Sequence, residues 1–167
     1  MNFPAARKTA GSGCRRSDAA AILLGGLIAG TIDMGVAALI NRLRVGFILR
    51  VVAGGVLGKA ALAGDASVAL LGLVLQWAMS LVIAAIYLLV VRRRPMLRVH
   101  WVRAGVAYGV VIFFVMNYVV VPLSAWATTP RFTRATFVEN LLAMLLFGLI
   151  LAWFAHRADA RADDRTA

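Results

Sequence analysis

The stretch Ala19-Ala20-Ala21-Ile22-Leu23-Leu24-Gly25-Gly26-Leu27-Ile28-Ala29-Gly30-Thr31-Ile32-Asp33-Met34-Gly35-Val36-Ala37-Ala38-Leu39-Ile40 decides the fold. An α-helix rises 1.5 Å per residue, so about 20 apolar residues cross a hydrocarbon layer about 30 Å thick. Lipid offers no partner to backbone N–H and C=O groups, so such a run must be helical. Asp33 is its one charged residue. A carboxylate at mid-bilayer costs about 3 kcal/mol on insertion scales. It needs a partner, water or a proton, and so it marks the candidate functional centre.

Three further segments, 66–91, 102–125 and 136–156, are apolar and of spanning length. A fifth stretch, 45–62, is shorter, carries Arg50 and Lys59, and contains Gly54, Gly55 and Gly58. Its length suits an interfacial or re-entrant helix better than a crossing. The expectation is an all-α polytopic membrane protein with four transmembrane helices plus one short interfacial or re-entrant helix. Residues 18–157 form the transmembrane domain, 1–17 reads as a disordered cytoplasmic tail and 158–167 as a polar cytoplasmic tail. The first apolar run exceeds the 7–15 residues of a signal-peptide core, so it reads as a retained span.

Composition agrees. Hydrophobic residues make up 62% of the chain and the mean hydropathy is +0.87. A soluble domain is closer to about half apolar. The net charge of +11 raises the question of nucleic acid. The basic residues punctuate apolar segments without forming a tract, and no aromatic stacking platform is interleaved with them, which argues against nucleic acid. They orient the helices instead. With four spans, one face receives Arg7, Lys8, Arg15, Arg16, Arg92, Arg93, Arg94, Arg98, Arg103, Arg157, Arg161 and Arg165. The other receives Arg42, Arg44, Arg50, Lys59, Arg131 and Arg134, half as many. The positive-inside bias then puts both termini in the cytoplasm. Cys14 is the only cysteine, so no disulfide closes within the chain.

Helical periodicity collects small and polar residues on defined faces. Gly26, Ala29, Gly30, Asp33 and Ala37 share one face of the first span, with a GxxxG at Gly26 and Gly30. Ala69, Gly72, Gln76, Ser80, Ala84 and Tyr87 share a face of the next. Asn117 is the interior polar residue of the third, which carries a second GxxxG at Gly105 and Gly109. At 1.5 Å per residue, Asp33 lies about 20 Å along its span, Asn117 about 21 Å along its own and Gln76 about 15 Å down from the opposite end. The three fall at one level. Asp33, Gln76, Ser80 and Asn117 are therefore a candidate polar layer for an ion, a proton or a small molecule. The competing reading is interhelical hydrogen-bonding glue. Arg50 is the candidate counter-ion to Asp33, or else it snorkels to water. Gly54 and Gly58 are candidate packing positions like the GxxxG pairs.

Thr136-Phe-Val-Glu139 reads as a capping box opening the last span. His100 and His156 fall near the cytoplasmic interface and read as interfacial residues. Trp77, Trp101, Trp126 and Trp153 read mostly as an interfacial belt. The sequence holds no phosphate-binding glycine loop, no metal-ligand spacing and no nucleophile near a histidine. The expectation is no enzyme, no metal and no cofactor.

Three stretches together resemble the YagU-like group of small bacterial inner-membrane proteins. They are Gly26-Leu-Ile-Ala-Gly30-Thr31-Ile32-Asp33, Val51-Val-Ala-Gly54-Gly55-Val-Leu-Gly58 and Met116-Asn117-Tyr118-Val-Val-Val-Pro122-Leu-Ser124. The resemblance implies a bacterial inner-membrane location and supplies no catalytic residues. The group carries a histidine where this chain has Gln76, so it implies no metal or proton-relay role at that position. The functional expectation is a structural or accessory membrane protein, self-associating through its glycine faces or joining other membrane proteins. The alternative is a small transporter or proton/cation conduit built on Asp33. A membrane-embedded enzyme or haem carrier is the weakest reading.

Overall fold

The computed structural model describes residues 10–128 and 132–163. The readings that fall on 1–9, 129–131 and 164–167, Arg131 among them, lie outside the described residues. Among the described residues there are helices and no strand. α1 runs Ala10–Asn41, α2 Val45–Leu57, α3 Ala66–Arg93, α4 Pro95–Val99 and α5 Trp101–Val115. α5 continues through a π-helical stretch, Met116–Val120, into α6, Val121–Leu123; α7 runs Arg134–Asp163.

This is an all-α polytopic membrane architecture. Five helical stretches, against four in the sequence reading, are long and apolar enough to cross a membrane: Asp18–Asn41, Val45–Ala63, Ala66–Arg93, Trp101–Leu123 and Arg134–Ala158. The fifth arises because a 3₁₀ stretch, Gly58–Ala63, extends α2 to 19 residues. That stretch does not prolong α2 in a straight line. Gly58 takes φ +68°, a left-handed turn that suits glycine, and Arg50 donates to the carbonyls of Leu62 and Gly64. A straight continuation would put Gly64 about 20 Å from Arg50, out of reach of its side chain. The chain therefore doubles back beside α2.

The helical ends also correct the sequence reading. α1 begins inside the segment read as a tail, and α7 continues past residue 157. Residues 158–163, Ala-Asp-Ala-Arg-Ala-Asp, are half alanine, the best helix former, so the α7 ladder extends beyond the apolar core. The last helix starts at Arg134, ahead of the expected Thr136. Thr133 is its cap: Thr133 Oγ1 accepts from the Thr136 N–H at 3.3 Å, and Thr136 Oγ1 accepts from the Thr133 N–H at 2.9 Å. The reciprocal box thus runs Thr133–Thr136, and Glu139 stands exposed outside it.

The four long helices pack in the order α3, α1, α7, α5, each antiparallel to the next. Lipid tails are as apolar as the side chains, so close backbone approach holds such helices together. Glycines provide it. Gly26 and Gly30 lie against Leu81 and Ser80 of α3, and Gly25 against Phe154 of α7. Gly105 and Gly109 meet Gly148 and Met144 of α7, backbone on backbone. α2 lies outside this row, its Leu49 backbone pressed on Gly72 of α3 and its Ile48 packed with Met34 and Ala38 of α1. Trp126, just beyond α6, fills the notch at Gly54 and donates from Nε1 to Val51 O at 3.0 Å. It is a half-buried wedge between two elements, a different job from the belt role expected of it.

Candidate functional site

α1 and α3 cross where both carry small residues, and this brings their polar side chains together. Gln76 Nε2 donates to Asp33 Oδ2 at 3.2 Å. Gln76 is 8% exposed and Ser80, one turn along α3, 2%. All three border a cavity of about 30 Å³, otherwise walled by Met79, Ile83, Ile112, Met116, Met144 and Phe147. A water needs roughly 10–15 Å³ and two to four polar partners, so this chamber accommodates one or two. Among the described residues, Ser80 Oγ and Gln76 Oε1 have no hydrogen-bond partner. The arrangement can hold a proton or a water between carboxylate, amide and hydroxyl.

Asn117 does not join them. Its Nδ2 donates to Phe113 O of its own helix at 2.8 Å. The reason is local. Pro122 has no N–H, and its ring collides with a regular i−4 carbonyl. The helix widens to π geometry just before it, so that the Val121 N–H reaches Met116 O. The Asn117 amide back-bonds to the carbonyl one turn earlier, as Asn41 and Asn140 do on their own helices. Ile112 and Met116 are what the third span contributes to the Asp33 chamber.

Arg50 is not a counter-ion to Asp33. Its guanidinium donates to Gly46 O at 3.4 Å, Leu62 O at 3.4 Å and Gly64 O at 3.0 Å. It is half-buried and pins the returning chain. The packing glycines lie at contacts, except that Gly58 acts as a turn. Sequence reasoning passed over Gly148, which meets both Gly105 and Gly109. The spacing Gly148-xxx-Ala152 is the signal that marks it.

Beside the polar chamber lies a larger space. A cleft of about 710 Å³ separates α2 and α3 from the Met116–Trp126 stretch. Its walls include Val51, Val52, Leu75, Met79, Val120 and Val121, with Ser124, Trp126 and Thr128 toward one end. Val56 and Val82 line it and are exposed, so it opens on the flank of the bundle. Gln76 borders both the cleft and the chamber. Next to Val82, α3 and α5 are joined by Tyr108 Oη, which donates to Ile83 O at 2.7 Å, and, one turn further along α3, by the Tyr87–Tyr108 ring contact.

The cytoplasm-facing residues of the sequence reading form surface contacts. Arg92 pairs with Asp18, tying the start of the first apolar run to the end of α3. His156 stacks on Trp101, and Arg157 sits 4.2 Å over the Trp153 ring. Among the described residues no group of three or more His, Cys, Asp or Glu could hold a metal ion.

Comparison with family models, with curated proteins and with solved structures finds no match.

Proposed function

We propose that this chain is an accessory, non-catalytic integral protein of a bacterial inner membrane that binds a lipophilic molecule in its flank cleft. The bacterial location rests on the YagU-like resemblance. Four crossings with both termini cytoplasmic, and α2 with its returning stretch as a re-entrant hairpin, complete the reading. The positive-inside bias and the reversal at Gly58 support that topology.

One observation carries the binding role: a cleft of about 710 Å³, walled by apolar side chains and opening sideways past Val56 and Val82. Ligand sites fall between about 300 and 1,000 Å³, lined by apolar groups with few polar ones. The test is purification in mild detergent followed by solvent extraction and native mass spectrometry. The wild type carries one apolar ligand, or takes one up from a lipophile panel, and Ala78→Trp, which fills the cleft, does not. A wild type that stays empty throughout, or an Ala78→Trp variant that binds equally well, overturns the proposal.

The polar chamber supports a second reading, a proton or cation conduit through Asp33. Its size suits a water and its three polar groups share one level. If Asp33→Asn leaves proton and cation flux into vesicles unchanged, that reading fails.

A further inference from the structure

Gln76 is the feature that the cleft reading leaves unused. It lies ten residues into α3, about 15 Å from the helix start at Ala66. A phospholipid headgroup stays at the interface, so it does not reach that depth. A buried amide in hydrocarbon is retained only where its polar atoms find partners. Half of that requirement is met within the protein. Gln76 Nε2 donates to Asp33 Oδ2, which sets the amide with Nε2 toward the chamber. Oε1 is left without a partner among the described residues, on a side chain that also borders the cleft. An amide held this way offers an acceptor.

Building on the cleft reading, we infer that the ligand is a bilayer-soluble molecule with an apolar body and one hydroxyl donor, of the phenol or quinol class, whose O–H bonds to Gln76 Oε1. The size of the cleft admits an aromatic ring with a tail. Its opening at Val56 and Val82 admits the molecule from the lipid side. Asp33 then acts as a positioning residue: it sets which end of the Gln76 amide faces the guest and never touches the guest itself.

The test compares para-heptylphenol with its methyl ether, which has the same body and no donor. Binding to the full-length protein in nanodiscs is corrected for partition of each probe into empty discs. The phenol binds the wild type about fivefold more tightly, the worth of one net hydrogen bond. In Gln76→Leu the preference vanishes while ether affinity holds. Removing Gln76 alone strands Asp33 and threatens folding. The double variant Asp33→Leu/Gln76→Leu removes both partners and serves as the second carrier of the test. Equal affinity of phenol and ether for the wild type overturns this inference and leaves the cleft reading standing. So does a phenol preference that survives in the double variant. Failure of both probes to bind overturns the two together.

Discussion

Gly148→Ala tests whether backbone contact holds the α5–α7 pair. A methyl group built on Gly148 meets Gly105 O, and lies 2.9 Å from Gly109 N and 3.0 Å from Gly109 Cα. All three are main-chain atoms, which yield only if the helices separate. Overpacking a tight site costs about 1–3 kcal/mol, and a clash with main chain belongs at the upper end. Alanine regains about 1 kcal/mol of helix propensity over glycine. The net expected loss is about 2 kcal/mol, roughly a thirtyfold fall in the folded-to-unfolded ratio. Gly35→Ala is the internal control. Nothing lies within 4 Å of a methyl group there, so only the propensity gain of up to about 1 kcal/mol remains. Steric trapping or SDS unfolding in mixed micelles measures both. If Gly148→Ala matches the wild type, or Gly35→Ala loses as much as Gly148→Ala, glycine contact is not what joins these helices.

Arg50→Ala releases the carbonyls of Leu62 and Gly64, and the 58–64 return is expected to exchange amide hydrogens at least tenfold faster while α1 and α7 keep their protection. Uniform protection in this variant refutes the pinning role. Asp65 caps α3 from outside the spans. Hydrogen bonds from the Ser67 hydroxyl and the Ser67 N–H hold its carboxyl below the ordinary carboxylate range. A depressed acid contributes stability above its unfolded pKa and loses it as pH falls through the folded one. Protection at the start of α3 should therefore weaken on acidification below the normal carboxylate range, and Asp65→Ser, a cap without charge, should flatten that dependence. A pH response that is the same in the variant contradicts this.

The parts of this molecule legible in its sequence are those fixed by helical periodicity. The small-residue faces are the buried ones: Gly26, Ala29 and Gly30 on α1, and Gly72, Gln76, Ser80, Ala84 and Tyr87 on α3. The meeting of Asp33 with Gln76 follows from equal depth on facing helices, which counting residues supplies. What counting misses is any step where the helix stops being regular. Asn117 has the right depth, yet its amide finds an acceptor nearer at hand, the carbonyl four residues back on its own helix. Arg50 meets Gly64 because Gly58 reverses the chain, and no periodic argument reaches across that turn. The cleft belongs to the same class. It exists because Trp126 spaces α2 from α6, a tertiary fact.

The bond from Tyr108 to Ile83 has a mechanical meaning. It clasps α3 to α5 beside Val82, on the rim of the flank cleft, like the rivet of a pair of tongs. Ile83 also walls the Asp33 chamber, so this one bond braces the stretch of α3 that cleft and chamber share. Tyr108→Phe takes out the rivet and is expected to loosen that stretch, read as faster amide exchange around Ile83.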